Sequence, residues 1–192
     1  MIGSHNTFSY LPIKNKWLSF LKPWYKCQEY DIYTQIYKGV QFFDLRVRFD
    51  ANGYLQIVHN KIVFDMTEKQ FWNTMDNATY FSEDKGNLLY FRVILDIRKK
   101  PKDEVNQLYW FAQFINKFKQ CSKRIVLVQA IVYWNWAVID YHTANLEIIE
   151  DHASVNAKWY EYILGNKYYA AKVGVKYINE KSNDKVFLID YV

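Results

Sequence analysis

Five segments of the chain consist mainly of apolar and β-branched residues, with turn residues between them. Such runs indicate strands, and several are apolar enough to be buried on both faces. A large β-sheet is therefore predicted. The strong candidates are residues 40–49, 54–58, 88–97, 124–133 and 186–192, and the weaker ones are residues 2–5, 136–140, 146–149 and 172–177.

Helical spacing of apolar residues marks four segments between these strands. Residues 28–38 are followed by a glycine, which suits the left-handed turn after a helix. Thr67 and Gln70 have the order of a capping box at the start of a second helix. Pro101 opens a third helix, and residues 154–164 form a fourth. The predicted apolar stripe of the third helix is Val105, Leu108, Ala112, Ile115 and Phe118.

Strands that alternate with helices indicate parallel βαβ units in an α/β fold. A closed (β/α) barrel and an open doubly wound sheet both satisfy this pattern. No repeat, low-complexity tract or linker rich in Pro, Gly or Ser interrupts residues 1–192, so a single domain is predicted. A barrel usually needs about 250 residues. In a barrel of this length, some helices must be short or missing.

Composition is that of a globular protein, with 51% hydrophobic and 19% aromatic residues. The 25 Lys and Arg against 20 Asp and Glu give a net charge of +5. This mild excess favours anionic partners, although a solvated surface explains it equally well. The lysines are scattered over predicted helix faces and form no nucleic-acid-binding motif, so no nucleic acid partner is expected.

The location of the protein is predicted from its N-terminus and its cysteines. The N-terminus has no basic start followed by an apolar run, and no apolar stretch approaches the ~18 residues of a spanning helix. Cys27 and Cys121 form no CxxC pair, which favours free thiols in a reducing compartment. We expect a cytoplasmic monomer, or a secreted protein if a leader was removed.

Two of the four histidines stand at strand ends. His5 ends the first predicted strand and His59 follows the third, while Asp44 and Arg46 lie two apart near the end of the strand between them. In a parallel barrel the carboxyl ends of strands meet at one mouth, and residues two apart share a face. These four side chains are therefore expected to meet. Taken alone, a histidine at a strand end is more often structural, and Asp44 with Arg46 would be a structural ion pair.

Two imidazoles and a guanidinium are a sufficient set for cleaving a phosphodiester by attack of a neighbouring hydroxyl. A neutral imidazole accepts the proton of the nucleophile and a charged one protonates the leaving oxygen. The guanidinium supplies a fixed charge and forked donors for the phosphoryl oxygens. This chemistry requires no metal ion and no cofactor.

Ordered motifs in the first third of the chain resemble the first three strands of phosphatidylinositol-specific phospholipases C. A late strand of that family carries an aspartate, and Asp190 near the end of this chain resembles it. Three motifs in the same order and spacing are far more specific than any one of them. They are residues 2–7 (IGSHNT), 28–31 (QEYD) with 39–46 (GVQFFDLR), and 55–59 (LQIVH), and the terminal motif is residues 186–192 (VFLIDYV).

The resemblance implies a compact, distorted (β/α) TIM-type barrel and a role for each matched position. His5 would be the general base that takes the proton of the inositol 2-hydroxyl, and Asp190 would orient it. Arg46 would bind the phosphate, with Asp44 in the surrounding hydrogen-bond network. His59 would be the general acid for the diacylglycerol oxygen.

Three further positions are implied to contact substrate. Arg92 would be the basic residue that the family places on its fourth strand, and Asp151 would contact inositol hydroxyls. Asn6 stands where bacterial members carry aspartate, as in the calcium-dependent eukaryotic enzymes, and Asn60 replaces a glycine. The calcium enzymes need a carboxylate where Arg46 stands, so the resemblance favours the bacterial, metal-independent type.

The expected substrate is phosphatidylinositol or a soluble phosphodiester, with peripheral contact to a membrane surface. Aromatic residues near predicted loops suit such contact, although most aromatic residues of this chain must be buried. A metal-dependent glycerophosphodiesterase or sphingomyelinase D on a related barrel is an alternative that needs carboxylates clustered beside His5. A catalytically degenerate barrel that binds inositol phosphates or a protein is another. The loop aromatics are Trp24, Tyr25, Trp134 and Trp136.

Overall fold

The computed structural model of the protein describes residues 2–97, 102–132, 137–141, 147–150 and 185–189. The helices are a 3₁₀ helix (Lys16–Leu21), α1 (Lys22–Tyr25), α2 (Ile32–Tyr37), α3 (Glu68–Glu83) and α4 (Glu104–Gln120). The strands are β1 (Ile2–Ser4), β2 (Phe42–Phe49), β3 (Leu55–His59), β4 (Ile62–Val63), β5 (Leu89–Leu95), β6 (Ile125–Val132), β7 (Ala137–Tyr141), β8 (Glu147–Glu150) and β9 (Lys185–Ile189).

These strands form one mixed nine-stranded sheet whose main path is β7-β6-β5-β2-β1-β9-β8. All neighbours on this path are parallel except β7, which is antiparallel to β6. The parallel centre confirms the βαβ prediction. Among the described strands the path has two ends, at β7 and β8, and no pairing joins them into a closed barrel.

The prediction that the strands around the site are all parallel is wrong for β3. This strand leaves the main path and pairs antiparallel with β2, with Val47 opposite Ile57. Residues 50–54 connect the two strands, whereas a parallel crossover needs a dozen or more residues. Asp50 Oδ1 accepts the N–H groups of Asn52 and Tyr54 and so closes the turn. The length of this connection, visible in the sequence, already decides the direction of β3.

The central strands β2 and β5 are buried along nearly their whole length. Their side chains on one face pack against α3 and α4 through aromatic rings. Phe91 lies 5.2 Å from Phe43 and 5.1 Å from Phe118, measured between ring centroids. Phe71 of α3 is 5.8 Å from Phe114 of α4. This aromatic layer fixes the strands whose other residues carry the charged groups described below.

The buried face of α4 differs from the predicted stripe. Val105 is 78% exposed, whereas Phe111 and Phe114 are buried together with Ile115 and Phe118. Gln107 is buried too, because its Nε2 donates to the Phe49 carbonyl at 2.9 Å. A polar residue that bonds the backbone of β2 thus holds a core position that hydropathy did not predict, whereas Ile115 and Phe118 of the predicted stripe are buried as expected.

The other helix boundaries follow local capping chemistry. Helix α3 begins with the predicted capping box, in which Gln70 N–H donates to Thr67 Oγ1 and Thr67 N–H donates to Gln70 Oε1. Helix α2 is shorter than the predicted 28–38, because Asp31 Oδ1 caps it by accepting the Thr34 N–H at 2.8 Å. Gly39 ends it with φ +92°. None of the described helices is long and apolar enough to cross a membrane.

Several predicted features lie outside the described residues. They are the helix at 154–164, the strand at 172–177, Pro101, and the end of the last predicted strand beyond Ile189.

Candidate active site

Asp44 lies at the centre of a buried cluster of charged groups and is fully buried itself. Its Oδ2 accepts a hydrogen bond from Arg46 Nε at 3.0 Å, and its Oδ1 accepts one from Arg92 Nε at 2.9 Å. Arg46 follows two residues later on the same face of β2, and Arg92 is the direct neighbour of Asp44 on β5. The backbone N–H of Asn6 also donates to Oδ2, at 3.2 Å. One carboxylate therefore orients two guanidinium groups.

The carboxyl group of Asp44 is ionised at any pH at which a protein of this kind works. Burial by itself raises the pKa of Asp44, but the positive charges of Arg46 and Arg92 hold it well below its usual range. The charge of Asp44 is thus a constant feature of the site.

His5 directly follows β1 and is half-buried. Its Nε2 lies 2.9 Å from Arg46 Nη2. A guanidinium has only donors, so Nε2 must be the accepting nitrogen and the imidazole is neutral in this contact. The backbone carbonyl of His5 accepts a hydrogen bond from Gln28 Nε2 at 3.0 Å. In this contact His5 Nε2 is placed as an acceptor, which is the role of a general base.

His59 is the last residue of β3, and its ring faces that of His5. The two ring centroids are 6.2 Å apart and the planes meet at 81°. His59 Nδ1 lies 3.0 Å from the carbonyl oxygen of Tyr25, which can only accept, so Nδ1 carries a proton. The buried thiol of Cys27 approaches the same nitrogen at 4.0 Å. This arrangement leaves Nε2 as the nitrogen for proton exchange with a substrate.

Residues 25–28, at the end of α1 and just after it, hold both histidines through a backbone carbonyl and a side-chain amide. Ser9 Oγ accepts the N–H groups of Cys27 and Gln28, both at 2.8 Å. Gln28 in turn bonds the carbonyl of His5, and Tyr25 bonds the ring of His59. Sequence reasoning missed Ser9, Cys27 and the Tyr25 carbonyl, since no pattern in the chain marks a backbone acceptor or a residue that anchors a loop.

The asparagines that follow the two histidines share a rare backbone conformation. Asn6 has φ +46° and Asn60 has φ +58°, the two non-glycine positive values among the described residues. Asparagine adopts this left-handed region more readily than most side chains. Asn60 therefore meets the conformational demand that a glycine would meet at that position. Asn6 Nδ2 is buried and has no hydrogen-bond partner among the described residues.

The predicted site residues divide into two groups. The structure brings together His5, Asn6, Asp44, Arg46, His59 and Arg92, whereas Asp151, Asp190, Trp134, Trp136 and the side chain of Trp24 lie outside what is described.

Two details of the predicted geometry are wrong. Asp44 and Arg46 are the third and fifth of the eight residues of β2, not residues near its end. His59 arrives on an antiparallel strand that doubles back along β2, so the shared carboxyl ends of parallel strands do not explain its position. Tyr25, one of the aromatic residues near predicted loops, is 8% exposed and its ring centroid lies 6.1 Å from that of Phe64, so its ring packs in the core, as expected for most aromatic residues of this chain.

The fold is similar to solved structures of bacterial enzymes, although no family sequence profile and no curated protein matches the chain. A phosphatidylinositol-specific phospholipase C from Listeria monocytogenes superposes with a TM-score of 0.65 at 14% identity, covering 100% of this chain and 87% of that chain. A double mutant of the phosphatidylinositol-specific phospholipase C from S. aureus gives 0.59 at 17% identity, covering 100% and 84%. This chain therefore has the mixed α/β fold of these phospholipases.

Proposed function

We propose that the chain is a phosphodiesterase of the phosphatidylinositol-specific phospholipase C type, which cleaves the glycerol-phosphate ester by attack of a neighbouring inositol hydroxyl. The observation that carries this proposal is the facing pair of imidazoles, 6.2 Å apart, with the Arg46 guanidinium bonded to one of them. The likeness of fold to bacterial enzymes of that name supports it. We also propose that residues 1–192 form a single domain, and that its sheet closes into a distorted barrel.

In the proposed reaction the inositol 2-hydroxyl oxygen forms a bond to phosphorus and its proton passes to His5 Nε2. The bond from phosphorus to the glycerol oxygen breaks, and His59 Nε2 gives that oxygen a proton. The products are a cyclic inositol phosphate and diacylglycerol. The substrate phosphate replaces His5 as the partner of Arg46 Nη2, which frees the lone pair of Nε2 for the hydroxyl proton. Asp190 would stabilise the imidazolium that His5 becomes.

Two more residues are proposed to contact the phosphate. Asn6 offers a buried amide donor without a partner among the described residues, and a phosphoryl oxygen would satisfy it. Arg92 adds a second positive charge beside Arg46, and the shared carboxylate of Asp44 holds both in place. Asp151 is proposed to contact inositol hydroxyls.

The charge pattern favours metal-independent chemistry over the metal-dependent alternatives. Both oxygens of Asp44 accept hydrogen bonds from guanidinium groups. A divalent cation bound to this carboxylate would lie beside two positive charges that are already buried there. The residues present therefore do not fit a calcium site at Asp44.

An exposed surface on the segment that leads to Tyr25 suits a lipid interface. Trp17 is 89% exposed and Phe20 is 66% exposed on the 3₁₀ helix Lys16–Leu21, and Lys16 and Lys22 are exposed beside them. Aromatic residues with flanking lysines are typical of contact with anionic headgroups. The segment continues through α1 to Tyr25, whose carbonyl holds His59. We propose peripheral binding to a phosphatidylinositol surface here, by a cytoplasmic protein whose substrate is phosphatidylinositol or a soluble phosphodiester.

The test is a cleavage assay on phosphatidylinositol and on glycerophosphoinositol in excess chelator, followed by phosphorus NMR. A cyclic phosphate signal that persists in chelator is the expected result. Loss of turnover in chelator would instead indicate a metal-dependent phosphodiesterase. Binding of inositol phosphate without turnover of either diester would indicate a degenerate barrel.

A further inference from the structure

The backbone of Asn60, the residue after His59, is held from two sides by charged side chains outside the set described above. Its N–H donates to Asp96 Oδ2 at 2.9 Å, and its carbonyl oxygen accepts a long hydrogen bond from Arg48 Nη1 at 3.5 Å. Arg48 lies in β2, and Asp96 directly follows β5. Two neighbouring parallel strands therefore hold the turn between β3 and β4.

Asp96 is an unusual group for a purely structural bond. It is 1% exposed, and its Oδ1 has no hydrogen-bond partner among the described residues. Burial of a carboxylate carries a desolvation penalty that one hydrogen bond to a backbone N–H does not offset.

Arg48 is the charged neighbour of Asp96. Burial lowers the pKa of Arg48, and the charge of Asp96 opposes that change, so each group senses the other. Arg48 is itself fixed by a 3.0 Å hydrogen bond from its Nε to Gln56 Oε1 on β3. The two charges thus tie β2, β3 and β5 together around one turn.

The turn is held where backbone movement would displace a catalytic side chain. Asn60 has φ +58°, in the left-handed region that few residues with a side chain adopt, although asparagine does so more readily than most. Without its hydrogen bonds the turn would relax towards an ordinary conformation. His59, one residue away, would then lose its alignment with the Tyr25 carbonyl and with the His5 ring.

We propose that Asp96, assisted by Arg48, is a positioning residue for the general acid His59. Asp96 holds the Asn60 backbone, and that backbone sets the His59 ring between the Tyr25 carbonyl and His5. The inference rests on the proposed role of His59, because it concerns only the step in which the leaving oxygen is protonated. The aspartate acts through the turn.

Leaving-group dependence tests this role. Asp96→Leu removes the acceptor for the Asn60 N–H, and Asp96→Asn keeps one. The assay compares an inositol phosphodiester that has a glycerol leaving group with one that has p-nitrophenol, which leaves without protonation. We expect Asp96→Leu to lower kcat on the glycerol ester by about tenfold or more with little change in KM, and on the aryl ester by less than about threefold. Asp96→Asn should stay within about threefold of the wild type on both.

Gln107→Leu is the matched control, since it removes a buried side chain that also bonds backbone but lies away from His59. Its losses should be equal on the two esters. Equal losses for Asp96→Leu on the two esters, or an Asp96→Asn variant as slow as Asp96→Leu, would overturn the proposal. If Asp96→Leu does not fold, Arg48→Met removes the half-buried end of the same arrangement. It should show the same leaving-group dependence at smaller size, and equal losses there would also overturn the proposal.

Proton NMR of the histidine rings separates this inference from the proposed function. In folded Asp96→Leu or Arg48→Met the ring signals of His59 should shift, and by more than those of His5. If the wild type cleaves neither ester, the proposed function fails. The His59 signals still test the positioning role, and unchanged signals would refute it.

Discussion

Asp44→Asn removes the negative charge that two buried arginines share while nearly keeping the shape of the side chain. The wild-type carboxylate accepts hydrogen bonds at 3.0 Å from Arg46 and 2.9 Å from Arg92. An asparagine has one acceptor oxygen, so at least one of these bonds is lost and the other loses its charge assistance. Breaking a buried ion pair from one side costs about 3–5 kcal/mol. We expect a loss of that size in the free energy of unfolding at pH 7.

The pH dependence of this loss has a definite sign. The folded-state pKa of Asp44 is depressed, so the stability it contributes is present above the pKa of the unfolded chain, about 3.9 for aspartate. That contribution declines as pH falls from about 5 towards the folded-state pKa, because the unfolded chain takes up the proton first. The difference in stability between wild type and Asp44→Asn should therefore be largest at neutral pH and shrink in acid.

Urea unfolding followed by circular dichroism at pH 7, 5 and 3 measures this difference. Asp65→Asn is the matched control. Because Asp65 is exposed, this substitution should change the free energy of unfolding by less than about 0.5 kcal/mol. A constant difference between wild type and Asp44→Asn across the whole range would refute the argument from linkage. A difference below about 1 kcal/mol at pH 7 would refute the claim that the carboxylate anchors both arginines.

Three further predictions concern activity. His5→Ala and His59→Ala should each lower kcat on phosphatidylinositol by about 10²-fold or more, measured by release of the cyclic product. Wild-type turnover in either variant would show that the substituted histidine takes no part in the mechanism. Arg46→Lys should also lower kcat/KM by about 10²-fold or more, because an ammonium lacks the planar, forked donors with which a guanidinium bonds Asp44 and phosphate together. Full activity in the lysine variant would contradict this. Trp17→Ser combined with Phe20→Ser should reduce both sedimentation with phosphatidylinositol vesicles and turnover of the lipid in them. Cleavage of glycerophosphoinositol should not change. Equal losses on both substrates would point to a folding defect.

Part of the site follows from local sequence because the interactions that form it are local. Strand positions come from hydrophobic runs, the start of α3 from the capping box of Thr67 and Gln70, and the end of α2 from Gly39. The pairing of Asp44 with Arg46 follows from their spacing of two on one strand. The resemblance of the motifs predicts that His5 and His59 lie near these groups.

Tertiary structure decided the contacts that join distant parts of the chain. The bond from Arg92 to Asp44 spans 48 positions, and the bond from Asn60 to Asp96 spans 36. Gln107 is buried only because the backbone of β2 offers it a partner. Local periodicity determines which residues lie in strands and helices, since it reflects each residue's neighbours along the chain. Which face is buried, which carboxylate is shared and which turn is held depend on elements packed from elsewhere, and no local pattern encodes that packing.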